Sequence, residues 1–250
     1  MTPEELERYA RHIVLREIGG SGQQKLIAAR VAVVGAGGLG APVLLYLAAA
    51  GVGRLTVIDG DQVSLSNLQR QVIFETGQIG EPKASAASER IAALNPHIEV
   101  AMHPVRLDEC NAQTLLAEHD LIIDGSDNFD TRYLVNRIAV GLGIPLLSAA
   151  MSQWEGQISL YDPGSEGPCY QCVFPERPAP GLAPSCAEAG IVGALAGVMG
   201  SLIATEAIKE ICGIGEGLRG RLLIYDALGA EFRKLKVAKW AGCTVCGDDS

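Results

Sequence analysis

The residues of this chain that could perform chemistry fall into two groups, a glycine-rich turn near the start and two cysteine pairs near the end. The turn spans residues 35–40 and contains Gly35, Gly37, Gly38 and Gly40. The cysteines, each pair separated by two residues, are Cys169 with Cys172 and Cys243 with Cys246. A turn of the dinucleotide-binding type together with a four-cysteine set narrows the possible functions more than either feature does alone.

The glycine turn follows an apolar run and precedes a helical pattern, which is the usual setting of a nucleotide-binding turn. Its glycines permit a tight bend, close approach of a pyrophosphate and close packing of helix on strand. Asp59 ends the next predicted strand, with Asp61 beside it, and is placed to accept hydrogen bonds from ribose hydroxyls. These residues alone fit NAD and ATP about equally well, and a turn that binds nothing is the remaining alternative.

The segment after Asp61 favours ATP over NAD. It places amides and a guanidinium within one or two helical turns, in the run Ser66, Asn67, Leu68, Gln69, Arg70 and Gln71. Lys83 follows at the head of a predicted helix, directly after Pro82. An arginine and a lysine beside a glycine turn suit a triphosphate, on which charge develops during reaction, better than a dinucleotide pyrophosphate.

Asp127 and Asn128 follow a predicted strand that ends at Asp124. The carboxyl ends of parallel strands face the ligand in folds of this type. A carboxylate at that edge suits Mg²⁺, with phosphate oxygens as its other ligands. The structural alternative is that Asp127 caps the helix beginning near Asn128, and the two roles can coexist. The residues favour Mg²⁺ binding by Asp127.

The paired cysteines predict a single closed tetrahedral Zn²⁺ site. Seventy residues separate the two pairs, so a shared metal would tie the last part of the chain to the segment after residue 161. A site with four thiolates has no open position and is therefore structural. The alternative is four unrelated reduced thiols. We expect Cys110 and Cys212 to be ordinary core residues.

Cys186 is set apart from the other cysteines because it precedes a long apolar segment at residues 189–205. We expect that segment to be a helix whose dipole would favour the thiolate form of Cys186. Ser185 and Glu188 have the spacing of a capping box, so part of this motif can be purely structural.

Hydrophobic periodicity predicts that these groups are positioned by a doubly wound, mainly parallel α/β sheet. Strands are predicted over residues 30–34, 55–58, 98–102, 121–124 and 145–148. Helices are predicted over residues 4–16, 23–29, 41–50, 83–94, 111–118 and 127–141, with the glycines at 19–22 ending the first of them. Strands over residues 157–161 and 222–225 predict an antiparallel extension.

Composition excludes several classes of function. The net charge of −9 argues against a nucleic-acid partner, since phosphate binding depends on clustered Lys and Arg. The first 15 residues lack the apolar region of a signal peptide. The apolar segment at 189–205 lies between two glutamates and is slightly short for a bilayer, so we expect a buried helix and no membrane association. A cytoplasmic protein follows, in which paired cysteines indicate metal binding more often than disulfides.

Taken in order along the whole chain, the motifs resemble the HesA/MoeB/ThiF family of bacterial E1-like adenylyltransferases, nearest its molybdopterin-type members and then its thiamine-type members. The matching residues run from the Arg8-Tyr-Ala-Arg11 segment through residues 35–40, 59–61, 66–71, Lys83 and 127–128 to the cysteine pairs. The resemblance implies a Rossmann-like fold in one domain. Residues 1–29 would form N-terminal helices, residues 30–150 the nucleotide-binding part, and residues 151–250 the carrier-binding and zinc-binding part.

The resemblance also implies roles for individual residues. The turn around Gly38 would line the nucleotide and Asp59 would bind its ribose. Phosphates would contact Asn67, Arg70 and Lys83, with Mg²⁺ on Asp127. Arg11 would reach across a homodimer into the partner's ATP site. In some relatives a cysteine at the position of Cys186 takes part in thioester or acyl-disulfide chemistry.

The reaction implied is adenylylation of the C-terminal glycine carboxylate of a ubiquitin-like sulfur carrier, with release of pyrophosphate. A MoaD-like carrier of molybdenum cofactor biosynthesis is favoured, and a ThiS-like carrier of thiamine biosynthesis is the alternative. We expect the sulfur to come from a separate donor, such as a cysteine desulfurase or a rhodanese. More distant alternatives are an NAD-dependent oxidoreductase and a zinc-dependent interaction module without catalysis.

Overall fold

A computed structural model describes residues 1–162, 164, 167–178 and 189–247. Its centre is an eight-stranded sheet in the order β3-β2-β1-β4-β5-β6-β7-β8. The strands are β1 (Arg30–Val34), β2 (Arg54–Ile58), β3 (Glu99–His103), β4 (Leu121–Asp124), β5 (Leu146–Ser152), β6 (Glu155–Tyr161), β7 (Arg221–Asp226) and β8 (Glu231–Lys236). Strands β1 to β5 are parallel, whereas β6, β7 and β8 extend the sheet in antiparallel fashion.

Helices cover both faces of the sheet. They are α1 (Pro3–Arg8), α2 (Ala10–Ile13), α3 (Gly19–Ala28), α4 (Gly40–Ala50), α5 (Lys83–Leu94), α6 (Ala112–Leu116), α7 (Phe129–Leu142), α8 (Tyr170–Val173) and α9 (Gly193–Cys212). Alternate residues of β1 enter different cores, because successive side chains of a strand point to opposite faces. Val31 and Val33 pack with residues of α3, α4, α5 and α9, whereas Ala32 and Val34 pack with residues of α6 and α7.

The predicted fold class is confirmed. The helix over residues 83–94 and the strands over 30–34 and 121–124 have the predicted bounds, and the other predicted strands differ by a few residues at their ends. Strand β8 was not predicted. All six of its residues are exposed, so its sequence carries no alternation between a buried and a solvent face.

The N-terminal region differs from the prediction in two ways. The helix predicted over residues 4–16 is broken at Tyr9, whose buried side chain packs against Gly51 while its hydroxyl accepts a hydrogen bond from Asn95 Nδ2 at 2.9 Å. The glycines at 19–22 do not end a helix but lie inside α3. Gly22 is buried there against Ile18 and Cys212, so close packing outweighs the low helix propensity of glycine.

The long apolar helix α9 begins at Gly193 and ends at Cys212, later at both ends than the predicted 189–205. It continues past Glu206, whose carboxylate pairs with Lys209 one turn on, and Gly213, with a left-handed φ of 69°, caps its C-terminal end. Within the described residues, none of the helices has the length and hydrophobicity needed to cross a membrane.

Close packing of α9 on α4 depends on Gly200. A Cβ atom at this position would overlap Pro42 Cγ and would lie 2.9 Å from the Leu39 carbonyl oxygen. Leu39 directly precedes α4, and Gly38 before it lies in the glycine turn. The contact therefore fixes the turn as well as the two helices.

We expect Gly200→Ala to destabilise the fold by about 1–3 kcal/mol, as overpacking of a core does. Gly141→Ala is the matched control, since Gly141 is exposed within α7 and an added Cβ would have no neighbour within 4 Å. That control should be neutral or stabilising by up to about 1 kcal/mol. Urea unfolding of both variants measures the difference, and equal stability of the two would contradict the packing argument.

Candidate functional site

The ends of β1, β2, β3 and β4 meet at one edge of the sheet and form a cleft there, called the strand-end cleft below. Ten of the predicted residues line it: Gly35, Gly37, Gly38, Asp59, Asp61, Arg70, Gln71, Lys83, Asp127 and Asn128. The cleft lies where the strand order reverses, between β1 and β4, which is the position at which doubly wound sheets bind ligands.

The glycines of the turn have different roles. Gly35 has a φ of 90°, which favours glycine, and a Cβ atom on Gly40 would overlap the Gly35 carbonyl oxygen. Gly40 is therefore needed to close the turn, and it does not line the cleft. A Cβ atom on Gly37 would meet only Gln71 Nε2, at 3.6 Å. Gly37 thus leaves its backbone accessible from the cleft.

Asp59 joins the glycine turn to the end of β2. One carboxylate oxygen accepts a hydrogen bond from the Ala36 amide and the other accepts one from the Asp61 amide, both at 2.8 Å. Burial raises the pKa of the Asp59 carboxyl, and the ammonium of Lys83 opposes that rise. Each oxygen keeps a lone pair for a further donor, such as a ribose hydroxyl.

Lys83 is a buried cation at the floor of the cleft. Its ammonium lies 2.9 Å from Asp61 Oδ2, and only 6% of the side chain is exposed. The Lys83 amide also donates to the Asp61 carbonyl at 2.9 Å. Asp61 therefore holds the first turn of α5 and its charged group in place before any ligand binds.

Arg70 and Gln71 enter the cleft from a 3-10 turn at Leu65–Asn67. The Asn67 carbonyl accepts hydrogen bonds from both their amides, and the Arg70 guanidinium donates to the Ser66 carbonyl at 3.2 Å. Ser66, Asn67, Leu68 and Gln69 themselves do not line the cleft. These four residues belong to the turn that carries Arg70 and Gln71 into the cleft.

The end of β4 supplies two carboxylates with different environments. Asp124 is fully buried, accepts hydrogen bonds from the Ser126 amide and the Ser148 hydroxyl, and has its pKa raised by burial. Asp127 is exposed and makes no hydrogen bond or ion pair with the described residues. The structural alternative for Asp127, a helix cap, is wrong, because Asn128 caps α7 by accepting a hydrogen bond from the Thr131 amide at 2.9 Å.

Several cleft residues were not predicted: Val105, Arg106, Leu107, Gly125, Ser126 and Thr131. The first three follow β3 at the same sheet edge, so applying the rule of strand ends to every parallel strand would have found them. Arg11 does not line the cleft of its own chain. Cys186 lies outside the described residues, and α9 begins seven positions beyond it rather than just after it.

Two grooves adjoin the cleft on either side of Asp127 and Asn128. The sheet groove is lined by Met151, Glu155, Gln157, Tyr170, Phe174 and Ile224. The knuckle groove is lined by Arg106, Asp130, Arg137, Gln171, Arg177 and Thr244. Both grooves share Asp127 and Asn128 with the strand-end cleft, so Asp127 lies where the cleft and the two grooves meet.

The four paired cysteines form one cluster. Their sulfur atoms all lie within 4.8 Å of one another, with separations of 3.9 Å for Cys169–Cys172, 3.6 Å for Cys169–Cys243 and 3.4 Å for Cys172–Cys246. A tetrahedral zinc with bonds of about 2.3 Å places its sulfurs about 3.8 Å apart. The donor set and its spacing therefore fit Zn²⁺. Of the other two described cysteines, Cys212 is buried as expected, but Cys110 is exposed and the prediction of a core residue is wrong.

The model of the ThiF family matches residues 9–245. The chain belongs to the ThiF family. The sulfur carrier protein adenylyltransferase of Thermus thermophilus is 54% identical, with 99% of this chain and 93% of that protein aligned. The SAMP-activating enzyme E1 of Haloferax volcanii is 47% identical over 98% of this chain and 90% of that protein. The probable adenylyltransferase/sulfurtransferase MoeZ of Mycobacterium tuberculosis is 49% identical, and this chain covers 62% of it.

Solved structures of Escherichia coli MccB share the ThiF-family fold seen here. One, described as a complex with ATP, superimposes with a TM-score of 0.83 at 25% identity and covers 96% of this chain and 73% of MccB. Another, with a modified MccA peptide, gives a TM-score of 0.85 at 24% identity over 96% of this chain and 75% of MccB. At 24% identity, the similarity to this second structure shows a shared fold and nothing further.

We expect purified protein to carry one zinc ion per chain and Cys246→Ser to lose it. Loss of the metal leaves the cluster without a bond between the two cysteine pairs, so the melting temperature should fall by roughly 5 °C or more. Cys110→Ser, outside the cluster, is the control and should keep both metal content and stability. Metal analysis and thermal unfolding measure these values. The assignment would be contradicted if wild-type protein without metal kept the melting temperature expected of the zinc-bound protein.

Proposed function

We propose that this chain uses ATP to adenylylate the C-terminal glycine carboxylate of a ubiquitin-like sulfur carrier, forming an acyl-adenylate and pyrophosphate. The observation that carries the proposal is the strand-end cleft, in which a glycine turn, two cations and the unpaired carboxylate of Asp127 share one space. The relatives named as a sulfur carrier protein adenylyltransferase and as a probable adenylyltransferase/sulfurtransferase support the reaction class. They also favour ATP over the NAD that the glycine turn alone allows.

The cleft has unpaired polar atoms suited to a nucleotide. Gln71 Oε1 and Ser126 Oγ are buried and have no hydrogen-bond partner among the described residues. A buried polar atom without a partner costs about 1–3 kcal/mol, which a bound ligand or water would recover. Asp127 would hold Mg²⁺ through one carboxylate, and the metal would neutralise charge on the triphosphate.

The proposed reaction needs no general base, because the carrier carboxylate is already ionised at neutral pH. Its oxygen attacks the α-phosphorus, and the bond from that phosphorus to the bridging oxygen breaks, so that the electron pair leaves on pyrophosphate. The barrier comes from bringing one anion to another and from charge that grows on the leaving group. Arg70 and Lys83 are held by Ser66 and Asp61 to meet that charge without rearrangement.

The sheet groove offers a path for the tail of the carrier. It leads to Asp127 from the open face of the antiparallel extension, where Gln157, Ile224 and Arg233 form one row across β6, β7 and β8. Leu235 on the same face is 48% exposed. The next row on this face consists of Glu155, Asp226 and Glu231, so the face offers a carrier apolar groups together with charges of both signs.

The carrier is proposed to be MoaD-like, with a ThiS-like carrier as the alternative. The segment 154–157 borders the sheet groove through Glu155, Gly156 and Gln157. It is therefore placed to contact the tail that the two carriers would present. A separate protein would then supply the sulfur, and Cys186 remains a candidate for covalent participation.

The reaction is tested by carrier-dependent exchange of pyrophosphate with ATP, with MoaD-like and ThiS-like carriers supplied in parallel. We expect exchange with the MoaD-like carrier and a loss of about 100-fold or more in Asp127→Ala and Arg70→Ala, since each removes a charge that stabilises the transition state. Glu89→Gln and Arg90→Ala are matched charge controls on the exposed side of α5. Full exchange in either cleft variant would contradict the assignment. Exchange with the ThiS-like carrier alone would move the protein to the alternative pathway.

The proposed homodimer rests on Arg11 and on an apolar face. Arg11 is exposed on α2 and has no hydrogen bond or ion pair with the described residues. The next residue, His12, is by contrast held in place. His12 contacts Gln23 Oε1 at 3.2 Å, and Gln23 Nε2 donates to the Ala50 carbonyl at 2.9 Å. The groove between α4 and α9 exposes Tyr46 and Val198, an apolar face that a second copy would cover.

If Arg11 acts in the partner's cleft, Arg11→Ala and Asp127→Ala should each be inactive but should complement one another when mixed and allowed to exchange subunits. A mixed dimer has one cleft with both groups, so random exchange should restore about a quarter of the wild-type rate. Pyrophosphate exchange before and after mixing measures this. No recovery, in a mixture shown by mass to contain mixed dimers, would contradict action in the partner's cleft.

A further inference from the structure

The segment after β3 crosses the sheet edge directly beside the proposed ribose position. The Asp59 amide donates to the carbonyl of His103, the last residue of β3, at 3.2 Å. A Cβ atom on Gly60 would lie 2.6 Å from the Arg106 amide nitrogen, so Gly60 is what lets the two segments approach. Arg106 therefore projects from backbone in contact with the residue that follows Asp59.

This segment is held in one conformation by its own contacts. Leu107 is buried in the core formed with α6 and α7. The Asn111 side chain donates to the Arg106 carbonyl at 3.0 Å and accepts from the Asp108 amide at 3.0 Å. The Arg106 backbone is thus fixed on both sides, and little ordering of the loop remains for a ligand to impose.

Arg106 lines both the strand-end cleft and the knuckle groove, and its guanidinium has no hydrogen bond or ion pair with the described residues. The other two arginines of the knuckle groove are paired, Arg137 with Glu109 and Arg177 with Asp130. An unpaired guanidinium at the junction of two cavities is available to a bound ligand.

The order of the strands decides which part of a nucleotide Arg106 meets. The glycine turn follows β1, Asp59 follows β2 and Arg106 follows β3, and these strands are neighbours in the sheet. Two strand spacings separate the phosphate end from Arg106, about 10 Å. A nucleotide with its phosphates at the turn and its ribose at Asp59 extends its base toward Arg106. Arg70, whose side chain approaches Gly38 of the turn, remains at the phosphate end.

From this placement we propose that Arg106 closes over the base of the bound nucleotide and stacks its planar guanidinium on the ring. The inference rests on the proposed function, since it takes ATP as the ligand of the strand-end cleft. Stacking of a guanidinium on an aromatic ring depends on ring area and on the planar group, which an ammonium lacks. Arg106 thereby selects purine over pyrimidine nucleotides and adds affinity without taking part in the chemistry.

The test uses the full chain and measures the KM for ATP and the kcat of carrier adenylylation. We expect Arg106→Ala to raise KM about tenfold with kcat within about twofold, and to lower the preference for ATP over CTP by a similar factor. Arg106→Tyr, which keeps a planar group, should restore most of the affinity, and Arg106→Lys should not. Arg137→Ala, which removes an ion-paired arginine of the knuckle groove, is the control and should leave KM unchanged.

Three results would overturn the inference. Rescue by lysine would show that only the charge matters, a fall in kcat would place Arg106 at the reacting phosphate, and an unchanged KM in Arg106→Ala would mean no contact. Each of these requires an active wild type. Failure of the proposed function is distinguishable, because the wild type would then show no carrier-dependent pyrophosphate exchange at all.

Discussion

The whole arrangement depends on the parallel pairing of β1 with both β2 and β4. β1 is buried on both faces, and its register aligns Val34 with Ile58 on one side and with Asp124 on the other. The chain winds from β1 toward β3 in one direction and from β4 toward β5 in the other, so the loops after β1 and β4 diverge and leave a crevice. Every polar group of the cleft projects from an end of one of these strands or from a segment packed against it. A shift of this register by one residue would turn the side chains of the strand to the opposite faces of the sheet, and would therefore disrupt both cores as well as the cleft.

The cleft is arranged in advance by burying charged groups next to specific partners. Asp59 bonds two backbone amides, Lys83 meets Asp61, and Asp124 bonds Ser126 and Ser148. Burial is the largest cause of the raised pKa of both Asp59 and Asp124, so the surroundings oppose their charge and the hydrogen bonds offset this only in part. The exposed groups, Asp127 and Arg106, are by contrast without partners among the described residues. Fixed buried groups therefore hold the cleft in shape, and the unpaired groups at its surface are available to a ligand.

Sequence reasoning found the parts of this site that depend on local pattern. A glycine turn between an apolar strand and a helix, with an acid ending the next strand, is visible in the order of residues, and so are Lys83 and the cysteine pairs. It missed Arg106, which the rule of strand ends applied to β3 would have found, and it could not show that residues 105–107 approach Gly60, more than forty residues away in the chain. The break at Tyr9 and the helix through the glycines at 19–22 have the same origin, since both are fixed by distant contacts with Asn95 and Cys212. Asp127 and Asn128 are both good helix caps, and only the geometry of α7 shows that Asn128 takes that place.

The cysteine cluster is linked to the cleft through α7 even though it does not line it. Asn128 caps α7 at the cleft, and eight residues later, about 12 Å along the helix, Asn136 meets the cluster. The Asn136 side chain accepts from the Tyr170 amide at 2.8 Å and donates to Cys169 Sγ at 3.6 Å. Tyr170 in turn packs edge-on against Tyr161 at the end of β6 and lines the sheet groove. Because one helix carries Asn128 at one end and contacts the cysteines along its length, a metal that fixes the cysteines also fixes the wall of the groove beside Asp127. A structural metal can thus support the reaction while contacting neither nucleotide nor carrier.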